Sequence, residues 1–144
     1  MGDSMARPPS VLFVCVKNGG KSQMAAGLMR LRAGDQIDVH SAGTLPGTKI
    51  NKLSAAALAE VGIDITGEQP KPITEDAVRA ADLVVILGRE AQVAPVAGTR
   101  FENWDTDEPS QRGIEGMDRM RLVRDDIDRR VQDLLTRLSP HLPH

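Results

Sequence analysis

An α/β domain, its parallel sheet covered on both faces, is what this sequence predicts, and two observations carry that expectation. Two short runs, VLFVCV at 11–16 and LVVIL at 83–87, are apolar throughout and rich in β-branched residues, the pattern of strands buried on both sides. The stretches between and after them carry helical spacing, so the strands are joined by crossovers, and crossovers join parallel neighbours. A chain of 144 residues holds one core, and no repeat, low-complexity tract or linker marks a second domain.

The first strand runs into Lys17, Asn18, Gly19 and Gly20, a backbone-permissive loop. From 22 to 32 the chain is rich in Ala, Met and Leu, with Ala25, Leu28, Met29 and Arg32 on one helical face. A second strand is expected at 37–40, a helix at 53–61 opened by Asn51 or Ser54, and a short helix at 74–80 capped by Thr74. After the strand at 83–87 a loop is expected from 88 through 113. Met117, Met120, Val123, Ile127, Val131, Leu134 and Leu138 then recur every three or four residues among charges, as one long amphipathic helix. Residues 1–10, with Met5 and the Pro8-Pro9 pair, are expected to be a disordered leader or vector-derived scar. That leaves a single three-layer domain over 11–138 and a frayed tail over 139–144.

Composition removes several classes of function. A formal charge of −2 with 40% hydrophobic residues argues against disorder and against an electrostatic hold on nucleic acid or an anionic membrane. The aromatics are Phe13, Phe101 and Trp104, with no Tyr, too few for a base-stacking surface. No apolar stretch approaches the ~20 residues of a membrane helix and no secretory core opens the chain, so a cytoplasmic protein is expected. Cys15 stands alone, which excludes an internal disulfide and a cysteine-rich metal site. His40, His141 and His144 lack partners at ligand spacing, so no metal is expected.

The chemistry concentrates in one segment, CVKNGGKS at 15–22, where a thiol, two glycines, a cation and a hydroxyl lie between a strand and a helix. Adjacent glycines let the backbone of Val16, Lys17, Asn18, Gly19, Gly20 and Lys21 curl so that N–H groups face one centre, and the helix start adds positive potential. Such a loop binds a tetrahedral oxyanion. The same field favours a thiolate, which makes Cys15 a nucleophile aimed at that anion. Ser22 is expected to hydrogen-bond the sulfur while capping the helix. Lys21 supplies a point charge in place of an arginine fork. Asn18 is expected to shape the loop through its tolerance of a left-handed backbone, and Lys17 is read as a solvated charge whose place inside the loop can add to its field. Lys71 and Arg89 are read as solvated charges, and Met117 and Met120 as core.

The segment VLFVCVKNGGKSQMA at 11–25 resembles the active-site signature of the low-molecular-weight tyrosine phosphatase superfamily, in its arsenate reductase branch. SAGT at 41–44, ADLVV at 81–85, the stretch 104–109 and RLVRDDI at 121–127 also resemble that family. The resemblance implies a four-stranded parallel sheet flanked by helices, a cysteine that attacks the oxyanion, and an acidic residue before a proline that protonates the departing oxygen. Here Glu108 precedes Pro109 where the family usually has Asp, and Asp107 precedes Glu108, so either fills that role. Lys21 after a glycine pair is similar to actinobacterial members of the arsenate–mycothiol transferase type. Thioredoxin-linked relatives carry two further cysteines around the loop after the third strand, and GREAQVAP at 88–95 has none. The resemblance therefore implies an external thiol, mycothiol, as co-substrate with no bound cofactor, and a glutaredoxin-like mycoredoxin that reduces the thiol–arsenate conjugate to arsenite. Arsenate is the implied substrate and phosphate its analogue; the alternatives are a protein tyrosine phosphatase or a non-catalytic oxyanion-binding module.

A lysine at position 21 cannot grip two equatorial oxygens as a guanidinium does. Lys21→Arg is expected to raise aryl-phosphate hydrolysis, read as turnover of p-nitrophenyl phosphate; an unchanged rate would count against that account of the lysine.

Overall fold

Strand β1 (Ser10–Cys15) is buried at every residue, which explains its lack of polar alternation. It pairs in parallel with β2 (Asp38–Gly43) on one side and β3 (Leu83–Leu87) on the other, and β3 pairs with β4 (Arg100–Trp104), giving the order β2-β1-β3-β4. The computed structural model describes residues 7–142. Because the chain leaves β1 for one neighbour and later returns to the other, strand order reverses at the carboxyl end of β1, where Cys15 lies. Ligand sites in open α/β sheets form at that reversal.

The period of two along β1 divides two cores. Val11 and Phe13 pack under helices α1 (Lys21–Ala33), α2 (Lys52–Ala59) and α4 (Gly116–Leu138), while Leu12 and Val14 face the smaller core under α3 (Glu75–Ala80). The stripe on α4 is as expected, with Met120, Val123, Ile127, Val131 and Leu134 buried. Both expected caps form: Asn51 Oδ1 accepts from the Ser54 N–H at 2.9 Å, and Thr74 Oγ1 from the Ala77 N–H at 3.0 Å. No helix among the described residues is long and apolar enough to cross a membrane.

The structure departs from expectation in four places. Part of the expected loop over 88–113 is the edge strand β4, whose Arg100 and Asn103 are exposed while Trp104 is buried with its ring 5.7 Å from that of Phe13. An edge strand tolerates charged residues, so its sequence lacks the apolar run of a central strand. Strand β2 extends beyond 37–40 to Gly43, carrying Ser41 and Ala42 to the loop end of β1. Ser10, assigned to the leader, opens β1, and the rest of that expectation falls largely on residues 1–6, outside the described residues. Of the tail expected to fray, Ser139–His141 form a 3-10 turn and Leu142 packs against the larger core, which offsets the proline's lost donor, while 143–144 lie outside the described residues.

At the end of α2, Glu60 meets Arg121 at 2.7 Å and Arg124 at 2.8 Å, tying α2 to α4. These hydrogen bonds, Arg121 first, hold its carboxyl down at about 2 against an ordinary 4.5. A carboxyl depressed on folding contributes stability above its unfolded value, and that stability is lost as pH falls through the folded one. Glu60→Gln is expected to lower Tm at pH 7, with the gap to the parent closing as pH falls from about 4.5 to about 2; thermal unfolding followed by circular dichroism across that range checks it.

Candidate active site

Beyond Cys15 the backbone turns its carbonyls outward. The Thr44, Leu45 and Gly47 N–H groups donate to the carbonyls of Cys15, Val16 and Lys17 at 3.1, 2.8 and 2.9 Å, and Asn51 N–H to that of Gly19 at 2.7 Å. Gly20 C=O accepts from Met24 N–H at 2.9 Å, inside the first turn of α1. With the carbonyls committed, the N–H groups of Val16, Lys17, Gly19, Gly20, Lys21 and Ser22 donate to no protein acceptor among the described residues. These free donors at a helix start form a site for an oxyanion. Two glycines are required by close approach: a Cβ on Gly19 would lie 2.9 Å from Lys49 O, and one on Gly43 2.6 Å from Val16 O.

Asn18 holds this shape. It has a left-handed backbone, φ 54°, and a fully buried side chain. Its amide Nδ2 donates to Ser22 Oγ at 2.7 Å, while Oδ1 accepts from Gln23 Nε2 at 3.1 Å and from the Lys71 N–H at 2.9 Å. Because Ser22 Oγ accepts from Asn18, its own hydrogen is free for Cys15 Sγ, 2.9 Å away. The Asn18 N–H also donates to that sulfur at 3.3 Å. Two donors thus converge on the one sulfur. Ser22 does not cap α1 as expected: the helix begins at Lys21, Gly20 is its N-cap, and no side chain closes it. The hydroxyl is committed to Cys15 instead.

The acidic residues separate cleanly. Glu108 pairs with Lys21, both side chains partly buried. Asp107 turns away to Arg112, with contacts of 2.7 and 3.1 Å, and that hydrogen-bonded guanidinium holds its carboxyl below the usual range. The Asp107 N–H is anchored on Asp126 Oδ2 of α4 at 2.9 Å. Asp105 is likewise lowered, chiefly by its hydrogen bonds to Arg89. The structure therefore brings Cys15, Lys21, Ser22 and Glu108 together at one loop and leaves Asp107 outside it. Lys17 is exposed on the loop's rim, and the Lys71 ammonium is exposed on Gln69 O, while its main-chain N–H serves Asn18. Sequence reasoning missed the side-chain role of Asn18 and the parts of Gln23 and Gly43; SAGT at 41–44, beside the loop-forming glycines, is the signal that pointed toward Gly43. Among the described residues no three His, Cys, Asp or Glu side chains group to hold a metal.

The family model for low molecular weight phosphotyrosine protein phosphatase matches residues 10–143. The chain belongs to this family. It is 35% identical to an arsenate reductase of Halalkalibacterium halodurans over 85% of this chain and 91% of that one. It is 33% identical to the glutaredoxin arsenate reductase of Synechocystis, over 90% and 98%. Among solved structures, the thioredoxin-dependent arsenate reductase of Corynebacterium glutamicum superposes with a TM-score of 0.80 at 33% identity, covering 94% of this chain and 64% of that one.

Removing one preorganised donor from a reacting centre typically costs ~10²-fold or more in turnover. Ser22→Ala is expected to lower turnover by about that factor with little change in phosphate affinity, because the loop's N–H groups remain. Calorimetric phosphate binding beside steady-state kinetics separates the two, and equal loss of both would show that Ser22 serves only the loop's shape.

Proposed function

We propose that this chain is an arsenate reductase acting as an arsenate–thiol transferase in the cytoplasm, with mycothiol as the acceptor. The observation that carries the reading is a lone thiol, Cys15, set against a ring of free N–H donors in a chain with no second cysteine. Arsenate, or phosphate as its unreactive analogue, sits on the N–H groups of 16–22 with Lys21 balancing its charge. The Cys15 thiolate attacks arsenic, an As–O bond breaks, and Glu108 gives its proton to the departing oxygen, which leaves as water. Arsenic is then bonded to Cys15 as As(V).

With no internal resolving thiol, an external one must take the arsenic. The acceptor sulfur bonds to arsenic and the electron pair of the As–S bond returns to Cys15. Mycoredoxin, a glutaredoxin-like protein, then reduces the released conjugate to arsenite. The glutaredoxin name of the Synechocystis relative and the thioredoxin dependence of the Corynebacterium neighbour support coupling to thiol redox. A phosphatase reading draws on the family model, with the fold shared by a tyrosine phosphatase of Erwinia amylovora at 16% identity, but the cleft beside the loop has no aromatic wall for a phosphotyrosine ring.

Arsenite formation from arsenate with mycothiol and mycoredoxin, against Cys15→Ser, tests the reading directly. Hydrolysis of an aryl phosphate with no arsenite formed would overturn it. For the acid, Glu108→Gln is expected to cost ~10² to 10⁴-fold in turnover, whereas Asp107→Asn stays within a few-fold because Asp107 is spent on Arg112. The reverse ranking would move the proton donor to Asp107.

A further inference from the structure

One wall of the oxyanion loop opens into a cleft of about 750 Å³, the size of a small-molecule site. Gly19 and Gly20 form its edge, and the segment hydrogen-bonded to the loop carbonyls brings Lys49 and Lys52 to its rim. Lys17, Lys21 and Arg119 also line it, with the polar side chains of Thr48, Asn51 and Ser54, over a floor that includes Met24 and Met120. No carboxylate lines it, and of these five cations only Lys21 forms an ion pair among the described residues, although the chain carries a net charge of −2.

Arg119 stands apart from its neighbours. Helix α4 holds Arg121, Arg124, Arg129, Arg130 and Arg137, and each of these pairs with a carboxylate. Arg119 does not, and its Nε is buried with no hydrogen-bond partner. A buried donor left open in this way is rare in a finished site and calls for an acceptor oxygen. Unpaired cations concentrated beside a nucleophile are also costly through mutual repulsion unless an anion joins them.

We propose that this cleft seats the acceptor thiol, binding it as the thiolate, with Arg119 donating to an oxygen of the acceptor and Lys49 and Lys52 favouring the charged sulfur. The proposal rests on the external-thiol reading and adds to it the place and the chemical class of the acceptor: a small thiol rich in acceptor oxygens. A free thiol titrates near ~8.5 and is mostly protonated at neutral pH, so a cationic seat raises the reactive fraction. The acceptor's proton passes to solvent as it binds. Its sulfur then forms the bond to arsenic, the arsenic–Cys15 bond breaks, and the electron pair restores the Cys15 thiolate. Arsenic remains As(V) throughout, so the step needs no oxidant or reductant. Two sources share this chemistry, an uncharged sugar thiol such as mycothiol and a carboxylate-bearing peptide thiol such as glutathione.

The test is steady-state arsenite production with the full chain at saturating arsenate and excess reductase, varying mycothiol with mycoredoxin in one arm and glutathione with glutaredoxin in the other, for the parent, Lys49→Gln/Lys52→Gln and Arg119→Gln. The expected result is at least a tenfold rise in the acceptor KM with the arsenate KM within twofold. The kcat/KM profile for the acceptor should move to higher pH, and Lys49→Arg/Lys52→Arg should restore it. Loss in both arms assigns the lysines to the thiolate itself, and loss with glutathione alone assigns them to its carboxylates; both outcomes keep the acceptor in the cleft. Binding of the unreactive S-methyl thiols, followed by amide shifts over 47–54, is expected in the parent and weakened in the variants. Parent turnover with variants whose acceptor KM is unchanged would overturn the assignment while leaving the transferase reading standing. A parent that makes no arsenite with either thiol would overturn that reading and this assignment with it.

Discussion

The site depends on one buried amide. Asn18 sits at the turn of the loop with its side chain sealed from water, and its polar atoms join Ser22, Gln23 and the backbone at Lys71 while its own N–H meets Cys15. In a low-dielectric interior an amide so placed has to be satisfied, and leaving one partner out costs about 1 to 3 kcal/mol. Each partner therefore constrains the others. The left-handed backbone that lets Asn18 reach them also turns the flanking carbonyls toward 44–51, so the donors that remain are those an anion needs. Gly43 follows from the same requirement, since any side chain there would collide with the loop.

Charge balance forms the second layer. The loop holds a sulfur with two donors, and Lys21, the cation at the start of α1, is already shared with Glu108. An arriving oxyanion brings further negative charge beside that pair. A guanidinium would commit its planar fork to two oxygens, whereas an ammonium has three donors that rotate freely. On the proposed reading, Lys21 keeps Glu108 on one donor while turning the others to the substrate, with the acid beside the oxygen that departs. The ion pair thus does not compete with catalysis in the way a bidentate pair would. Asp107, held by Arg112 and pinned through its N–H to Asp126, fixes the approach of the segment that carries Glu108.

What the sequence made legible follows from how local the information was. The central strands announced themselves because burial on both faces demands unbroken apolar runs, and the caps at Asn51 and Thr74 because a side chain bonds a backbone N–H three residues on. Strand β4 was hidden because an edge position frees Arg100 and Asn103 to face water, erasing the pattern. Of the loop, the thiol, glycines and cation lay within eight residues and could be read together. The choice between Asp107 and Glu108 could not, because Arg112 and Lys21, which divide them, reach the pair from a turn and from a helix distant in the chain. The cations at Lys49, Lys52 and Arg119 were unreadable for the same reason: the contact of the 44–51 segment with the loop brings Lys49 and the start of α2 to the cleft, and Arg119 reaches it from α4.

The segment between β3 and β4 bears on the proposed pairing of a lone thiol with an open cleft. A protein that resolves its own nucleophile needs a second sulfur on a stretch able to travel to the first. Here residues 88–99 carry no cysteine, and Ala91, Val93 and Val96 pack against the smaller core beneath the sheet. Apolar side chains spent on covering a sheet face are costly to withdraw, about 25 cal/mol for each Å² returned to water. The connection is thereby committed to the fold. A reaction that cannot bring its second sulfur by moving the chain has to leave room beside the first, and the walls of that room are free to be chosen for a diffusing partner in place of a tethered one.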